Sequence, residues 1–389
     1  MIYVVAPFES ENIVKGISSR NIELLKALSV SNKTMLLLSD FDHRYKKRND
    51  RGLVSNNLYG WGVEHKYLPS LKYNNNISIL RVLCNFVFSI SLFFYLIFRV
   101  KKGDKIYINS IPPEVILFCG IIKRTRNIEL VIDVRDIWPD ALINSSRPSL
   151  MLKCFEFYCE SIYSFSASQV DKVFYVAPSF MGWIDKKFDS RIPRFFFPLG
   201  YDIERWKDYD DEHGDIDLSS ERINIAYVGY LSQQFDLDNV IAAFEGLDND
   251  FNLHILGGGD NFSYYRTKFQ HIKNVEFHGM VHPKFISNNL HKFDAGFLPL
   301  RSGACSLLPN KFFDYLASSV PIISFGSNDV ESLINASGGG WVVDNDLVKI
   351  KDFLMNLKRQ DIELCKDKVS VSKENYSMQR LCLEASSKL

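Results

Sequence analysis

Residues 308–323 read LPNKFFDYLASSVPII, a stretch in which a helix start, an amphipathic helix and the opening of a strand follow one another directly. Pro309 stands just before the helical pattern, where a proline is tolerated, and Pro321 opens the next apolar run. The stretch therefore predicts a helix that starts near Asn310 and a strand after it. The same succession of apolar runs and helical segments continues through almost the whole chain.

This alternation is typical of parallel sheets covered by helices on both faces. Strands are predicted at residues 2–6, 34–39, 105–109, 129–133, 172–176 and 194–197. After a polar, charged stretch at 208–215 the pattern starts again, with strands at 223–228, 251–256, 275–278, 294–298, 321–325 and 340–343. The sequence thus predicts an α/β fold with two tandem Rossmann-like domains, whose sheets turn their carboxyl ends toward a shared cleft.

The predicted boundaries follow from the polar stretch between the two series of strands. Residues 1–200 form the N-terminal domain, 201–220 the linker and 221–375 the C-terminal domain. Residues 376–389 form a C-terminal helix, for which packing back on the N-terminal domain is one option.

The composition is that of a globular protein, with 46% hydrophobic and 24% charged residues among 389. Basic and acidic residues are equal at 46 each, so no net field favours nucleic acid as a partner. The scattered cysteines predict buried thiols in a reducing compartment, with neither disulfides nor a zinc site. They are Cys84, Cys119, Cys154, Cys159, Cys305, Cys365 and Cys382. The chain starts as a strand, with no basic segment before a cleavage site, so we expect no signal peptide and a cytoplasmic protein.

Residues 82–98 carry no charge, and at about 17 residues they reach the lower limit for a membrane span. Polar residues dilute the segment, and a lone span would separate the preceding strands from their sheet. We therefore predict a buried or surface-lying helix, with a span as the alternative. Together with the basic residues 44–48 it could rest on an anionic membrane, although a basic run is also typical of a solvated loop.

Lys311 and Asp314 share one face of the helix predicted near Asn310, since they are three residues apart. A helix N-terminus offers unpaired N–H groups and a positive dipole end, so it can hold a diphosphate, to which Lys311 adds a charge. Asp314 can accept hydrogen bonds from two neighbouring hydroxyls, as a ribose presents. Spacing alone leaves an alternative, in which Asp314 complements the helix dipole and Lys311 is a solvated surface residue.

The stretch from Leu308 also resembles the Pro-Ser-Lys-x-x-Glu-Tyr-x-Ala-x-x-x-Pro-Val signature of family 4 glycosyltransferases. The similarity is greatest to the bacterial amino-sugar transferases of surface-polysaccharide assembly, such as O-antigen and capsule. Four more segments fall in the order of that family: residues 131–140 (VIDVRDIWPD), 227–231 (YVGYL), 254–260 (HILGGGD) and 275–281 (VEFHGMV). Each segment alone is a weak signal, because glycine-rich strand ends occur in every Rossmann-like domain.

The resemblance implies a GT-B enzyme that transfers a sugar, with retention, from a nucleoside diphosphate sugar, expected to be UDP-linked. The expected acceptor is a glycan or a polyprenyl-linked glycan at the inner face of the membrane, with no cofactor and no metal ion. The donor-binding residues would be Gly229, Tyr230, Gly257, Met280, Arg301, Leu308, Pro309, Asn310, Lys311 and Asp314. Two departures stand out: the first glutamate of the family falls on Ser306, and the basic residues after the first donor-domain strand are missing. Lys311 would therefore carry a catalytic role at the phosphates or the sugar.

On the acceptor side, residues 16–20 follow the first strand where this fold places a phosphate- or acceptor-facing loop. Gly16, Ser18 and Arg20 are the candidates there, with Ser18 as an ordinary helix N-cap the alternative. Arg135 and Asp136 follow a predicted strand, so Asp136 could orient or deprotonate an acceptor hydroxyl. The alternative is a salt bridge from Arg135 to a neighbouring carboxylate that shapes the loop.

Two other functions fit the same sequence. A nucleotide-sugar epimerase shares the two-domain plan, and a non-catalytic sugar-nucleotide-binding protein is suggested by Ser306. Residues 344–346 (DND) are typical of a turn and do not indicate a metal site.

Overall fold

Two sheets of parallel strands organise the chain, and each belongs to one of two units. The computed structural model describes residues 1–14, 18–41, 54, 58–74, 78–140, 150–207, 211–232, 235–301, 308–325 and 328–389. The first unit comprises Met1–Pro198 and Leu381–Leu389, and the second comprises Leu199–Arg380.

The first unit is built on a sheet of seven described strands. They are β1 (Ile2–Val5), β2 (Thr34–Ser39), β3 (Glu64–Leu68), β4 (Lys105–Asn109), β5 (Glu129–Val134), β6 (Lys172–Tyr175) and β7 (Arg194–Phe196). Their order is β3-β2-β1-β4-β5-β6-β7, with parallel pairing. The helices are α1 (Ser10–Val14), α2 (Arg20–Ser29), α3 (Ile79–Ile97), α4 (Pro113–Thr125), α5 (Leu150–Ser166) and α6 (Met181–Lys187). The central strand β1 is wholly buried, as expected where helices cover a parallel sheet.

The second unit repeats the plan with six described strands. They are β8 (Ile223–Val228), β9 (Phe251–Leu256), β10 (Val275–Gly279), β11 (Ala295–Leu298), β12 (Ile322–Phe325) and β13 (Gly340–Val343), in the parallel order β10-β9-β8-β11-β12-β13. The helices are α7 (Ile203–Lys207), α8 (Asp238–Ala243), α9 (Phe262–Lys268), α10 (Pro283–Asn289), α11 (Asn310–Ala317), α12 (Asn328–Ser337), α13 (Leu347–Asn356), α14 (Arg359–Ser372) and α15 (Met378–Lys388).

The α/β class and the two tandem Rossmann-like sheets are confirmed, and all twelve predicted strands are present. The sequence prediction missed β3, whose residues EHKYL form one edge of the first sheet. Its first four residues are exposed or half-buried, so no apolar run or alternation distinguishes it from a loop.

The apolar segment predicted at residues 82–98 is α3, and Ser78 caps its first turn. Among the described residues, only α3 is long and apolar enough to cross a membrane, with a mean hydropathy of 2.0. Cys84, Phe88 and Leu92 of α3 are buried against the protein, whereas Phe94 and Phe98 are exposed. The basic residues 44–48 lie outside the described residues.

The C-terminal helix α15 begins in the second unit, and its last turns belong to the first. Cys382 Sγ donates to Arg20 O at 3.7 Å, and Lys172 Nζ donates to Lys388 O at 2.6 Å. The described part of the predicted linker, residues 201–207 and 211–220, is grouped with the second unit. There α7 packs on α10.

Candidate functional site

Helix α11 begins at Asn310, as predicted, and Tyr315 fastens it to the second sheet. Tyr315 Oη accepts from Val228 N at 3.1 Å and donates to Phe297 O at 3.0 Å. The Tyr315 ring packs directly against Gly296, where a Cβ atom would lie only 2.2 Å from the ring. The N-terminus of α11 is therefore held beside the carboxyl end of β8, where ligands bind in open α/β sheets.

Lys311 is buried at this helix start, with 9% of the residue exposed. Its Nζ donates a hydrogen bond to Tyr227 Oη and lies 4.0 Å from the Tyr227 ring centroid and 3.4 Å from that of Phe235. Burial holds the pKa of Lys311 well below its ordinary value, and the charge of Asp314 offsets this only in part. The alternative of a solvated surface lysine is wrong, because aromatic side chains enclose the amine.

Two glycine turns pack backbone to backbone next to Lys311. Gly229 N donates to Leu256 O at 2.9 Å, and a Cβ at Gly257 would lie 2.0 Å from Gly229 O. Gly229 has a φ of +116°, and a Cβ there would lie 2.6 Å from Lys311 Cε. Gly229 and Gly257 are therefore required for the close approach of the two strand ends and for the path of the lysine chain.

Asp314 lies one turn beyond Lys311 and faces Arg205 of α7, with Oδ1 3.5 Å from Nη1. Burial raises the pKa of Asp314, while Arg205 and Lys311 lower it in part. No described side chain other than Arg205 is paired with its carboxylate. Arg205 was not predicted, because it comes from the stretch interpreted as a linker.

The remaining predicted donor residues lie around these turns. Tyr230 is half exposed, and its Oη donates to Asp260 Oδ1 at 2.8 Å. Met280 is 78% exposed, and its Cε is 3.5 Å from where a Cβ of Gly258 would lie. Leu308 and Pro309 are buried, whereas Asn310 and Arg301 are exposed. Ser306 lies outside the described residues.

In the first unit, a polar pocket of about 300 Å³ opens at the carboxyl ends of β1, β4 and β5. Its lining includes Glu9, Asn21, Arg81, Asn109, Ser110, Arg135, Asp136 and Trp138. Asn109 Oδ1 is buried there without a hydrogen-bond partner among the described residues. Asp136 is exposed to the pocket; the surrounding protein raises the pKa of its carboxyl, and Arg135 offsets this in part.

Asp133, at the end of β5, is the centre of a buried network below this pocket. Its two oxygens accept from Arg20 at 2.8 and 2.9 Å, and Oδ2 also accepts from Arg135 Nε at 2.8 Å and Tyr107 Oη at 2.7 Å. Burial alone would raise the pKa of Asp133, but Arg20 and Arg135 outweigh it and lower the pKa to about 2.

This network changes the interpretation of two predicted acceptor-side residues. Arg135 forms the salt bridge to a neighbouring carboxylate that was the alternative, and it also donates to Asn21 Oδ1. Arg20 is only 4% exposed, and its guanidinium donates to Asp133 and to Phe197 O and Pro198 O. Both guanidinium groups are used within the protein, so we assign them to positioning the loop.

The remaining predicted residues of this acceptor-side loop are Ser18 and Gly16. Ser19, and not Ser18, is the N-cap of α2, accepting from Ile22 N at 3.3 Å. Ser18 Oγ instead donates to Glu23 Oε1 at 3.0 Å. The alternative, in which Ser18 is the N-cap, was therefore one residue early, since two adjacent serines match the same cap pattern; the acceptor-side role of Ser18 stays a prediction. Gly16 lies outside the described residues.

A second, apolar cleft of about 110 Å³ lies next to the polar pocket, between α3, α4 and α5. Arg81 and Trp138 line both, with Arg81 Cζ 5.1 Å from the Trp138 ring centroid. Its floor holds Glu114, whose pKa is raised by burial to about 7. The sequence analysis did not identify this cleft, because its walls come from three separate helices.

Residues 344–346 (DND), which the sequence analysis interpreted as a turn, also cap a helix. Asp346 caps α13, accepting from Val348 N at 3.0 Å and Lys349 N at 3.1 Å, and Asp344 pairs with Lys349.

Comparison with known proteins agrees with this geometry. Residues 222–358 match the family described as glycosyl transferases group 1, within the unit that carries Lys311. No curated protein sequence matches the chain. Among solved structures, a sucrose-phosphate synthase from Thermosynechococcus elongatus has a TM-score of 0.68 at 10% identity, covering 100% of this chain and 97% of that one.

Two further solved structures also span the whole chain. Anabaena HepE, solved with UDP and glucose, has a TM-score of 0.61 at 10% identity and covers 100% of this chain and 99% of its own. WaaG, a glycosyltransferase involved in lipopolysaccharide biosynthesis, has a TM-score of 0.61 at 10% identity with the same coverage. The fold is the GT-B fold of glycosyltransferases.

Proposed function

We propose that this protein is a glycosyltransferase that moves a sugar from a nucleoside diphosphate sugar to a hydroxyl of a lipid-linked glycan. The observation that carries the proposal is Lys311, an amine buried between two aromatic rings at the N-terminus of α11, the helix between β11 and β12 of a Rossmann-like sheet. A buried amine is costly unless an anion is there to compensate it. A diphosphate supplies that anion.

The donor half of the proposal rests on three groups that would act together. The N–H groups at the start of α11 and the ammonium of Lys311 would stabilise the charge that builds on the leaving diphosphate as the bond from the anomeric carbon breaks. Asp314 would accept hydrogen bonds from ribose hydroxyls. UDP as the nucleotide, an amino sugar as the donor sugar, retention and independence of metal ions are parts of the proposal that come from the resemblance.

The acceptor half rests on the polar pocket of the first unit. Asp136 would accept the hydrogen bond of the acceptor hydroxyl and take its proton as the new bond to the anomeric carbon forms. The Asp133 network below would hold this loop in place through Arg135.

Asp136→Asn should lower kcat by about 10²-fold or more while donor affinity is unchanged. Because the surrounding protein raises the pKa of Asp136, the wild-type rate should fall on the acid side at a higher pH than an ordinary aspartate would cause. The asparagine variant should lack this acid limb. Asp140→Asn is the matched control, since Asp140 does not line the pocket. Equal loss of donor binding in Asp136→Asn would instead indicate a structural role.

A lipid-linked acceptor is supported by the apolar cleft beside the polar pocket and by an exposed apolar surface. We call this surface the apolar face; it comprises Ile79, Leu83 and Phe94 of α3, Phe98 directly after it, and Leu150, Met151, Phe157 and Phe165 of α5. Helix α4 packs between α3 and α5, and at its end Arg124 and Arg126 donate to Phe165 O and Ile97 O. Large exposed apolar patches rimmed by cations are typical of surfaces that bind anionic lipid.

The double change Phe94→Glu and Phe157→Glu should reduce binding to vesicles that contain anionic lipid by about tenfold or more. The two side chains are 57% and 76% exposed, so the fold should tolerate the change. Cosedimentation with anionic and with neutral vesicles measures the effect. Val371→Glu, at an equally exposed position in the second unit, is the control. Unchanged vesicle binding in the double variant would remove the apolar face from the proposal.

The function itself is tested with UDP-sugars and a panel of polyprenyl-linked acceptors, with and without a chelator. A donor at a hundred times its dissociation constant should stabilise the fold by roughly 2.7 kcal/mol, and a glycosylated acceptor should form in both conditions. Accumulation of an epimer without acceptor would favour the epimerase. Donor binding without transfer to any acceptor would favour a binding protein.

A further inference from the structure

Two histidines and a glutamate meet at the β10 edge of the second sheet, on residues that the proposed transfer does not use. His254 belongs to β9, and Glu276 is its register partner on β10. His278 follows two residues after Glu276, where the pairing of β10 with β9 shifts register between Phe277 and Gly279, and its ring lies beside that of His254. Their ligand-capable atoms all lie within 4.8 Å of one another.

The distances between these atoms suit a single small metal ion. His254 Nδ1 is 3.1 Å from His278 Nε2 and 3.6 Å from Glu276 Oε2, and His278 Nε2 is 3.7 Å from Glu276 Oε2. Ligand atoms bound to tetrahedral zinc at about 2.0–2.1 Å lie about 3.3 Å apart. An ion equidistant from the three atoms would lie about 2 Å from each. His254 Nδ1 and His278 Nε2 are hydrogen-bonded to each other, and their ring centroids are 5.4 Å apart, so an ion would replace the shared proton and both rings would turn until their lone pairs point at it.

The chemistry of the three side chains also favours a metal ion. Imidazole nitrogen and carboxylate oxygen are both common ligands of Zn²⁺. Glu276 adds a negative charge, and its side chain is 60% exposed, so an ion can enter from solvent and keep a water as its fourth ligand.

We infer that His254, Glu276 and His278 bind one Zn²⁺ ion, joining the edge strand β10 to β9. Imidazole and carboxylate ligands with an open position also suit Co²⁺, Ni²⁺ and Cu²⁺. His254 Nε2 is buried without a hydrogen-bond partner among the described residues, so the ring lacks the outer hydrogen bond that strengthens many zinc sites. We therefore expect weaker binding than in a structural zinc site. The proposed transfer reaction is not needed for this inference, because the readout is metal binding.

The experiment uses the full chain, stripped of metal with a chelator and then dialysed. Zn²⁺ titration by calorimetry should give one ion per chain, and Co²⁺ should produce visible absorption bands of a site with fewer than six ligands. His278→Ala should weaken Zn²⁺ binding by about tenfold or more and abolish the Co²⁺ bands. Glu276→Gln, at an exposed position, should weaken binding without any effect on folding, which circular dichroism checks.

The matched control is His282→Ala. His282 stacks on His213 with ring centroids 4.1 Å apart, so this second histidine pair tests whether any close pair suffices. Zn²⁺ binding in His282→Ala should equal that of the wild type. Absence of one-to-one binding in the wild type would overturn the inference. So would binding that survives both His278→Ala and Glu276→Gln, or binding that is lost in His282→Ala alone.

Discussion

Replacing Lys311 with methionine should lower kcat/KM for sugar transfer by about 10²–10³-fold, with no loss of fold stability. The fall in rate follows from removing one donor to the charge that builds on the diphosphate. Stability should be unchanged or higher, because methionine fits between the Tyr227 and Phe235 rings and removes a buried amine whose hydrogen-bond partner among the described residues is one hydroxyl. Steady-state kinetics and thermal unfolding measure the two effects on the same samples.

Lys349→Met is the matched control, since Lys349 is 61% exposed in the same unit and pairs only at the surface. It should change neither quantity. If Lys311→Met keeps its activity, Lys311 has no role at the phosphates. If activity falls only together with the melting temperature, the lysine is structural.

The lowered pKa of Lys311 predicts a second measurable property of this site, which is the uptake of a proton when the donor binds. The free protein disfavours the charged amine, whereas a bound diphosphate favours it, so donor binding should take up a proton. Donor affinity should accordingly weaken as pH rises from the lowered pKa of Lys311 in the free protein to its higher pKa in the complex. Calorimetry in two buffers of different ionisation enthalpy measures this proton uptake, which Lys311→Met should remove.

The donor side shows what sequence spacing can and cannot predict. The helix start at Asn310 and the shared face of Lys311 and Asp314 follow from local pattern, because a helix fixes the geometry of residues three apart. The aromatic rings around Lys311 could not be predicted, since Tyr227 ends β8 and Phe235 follows a loop, more than seventy residues earlier in the chain. Only the folded sheet brings them to the lysine.

The acceptor side shows a different limit. The sequence analysis chose Arg135 and Asp136 because a charged pair at the end of an apolar strand indicates a ligand site. Asp133 in the same segment was passed over, although it holds the loop together, because its partner Arg20 is 113 residues away. A charge within a strand indicates a buried ion pair only when the opposite charge is known to face it.

Asp133→Asn should destabilise the first unit by about 3–5 kcal/mol, the second large effect that we expect. The change leaves Arg20 and Arg135 in place without a buried carboxylate between them, and an unpaired buried charge is costly. Urea unfolding followed by tryptophan fluorescence measures the loss. Asp189→Asn is the matched control: it breaks the ion pair with Arg191, whose side chain is 88% exposed, and should leave the urea midpoint nearly unchanged because exposed ion pairs contribute little.

The pH dependence separates this ion pair from a mere packing defect. The folded protein lowers the pKa of Asp133 from 3.8 to about 2, so the carboxylate stabilises the fold above its unfolded pKa and loses that contribution as pH falls through about 2. The difference in stability between wild type and Asp133→Asn should therefore be constant at neutral pH and shrink as pH falls from about 4 toward about 2. A difference that stays constant over that range would mean that the variant loses packing, and that the charge of Asp133 contributes little.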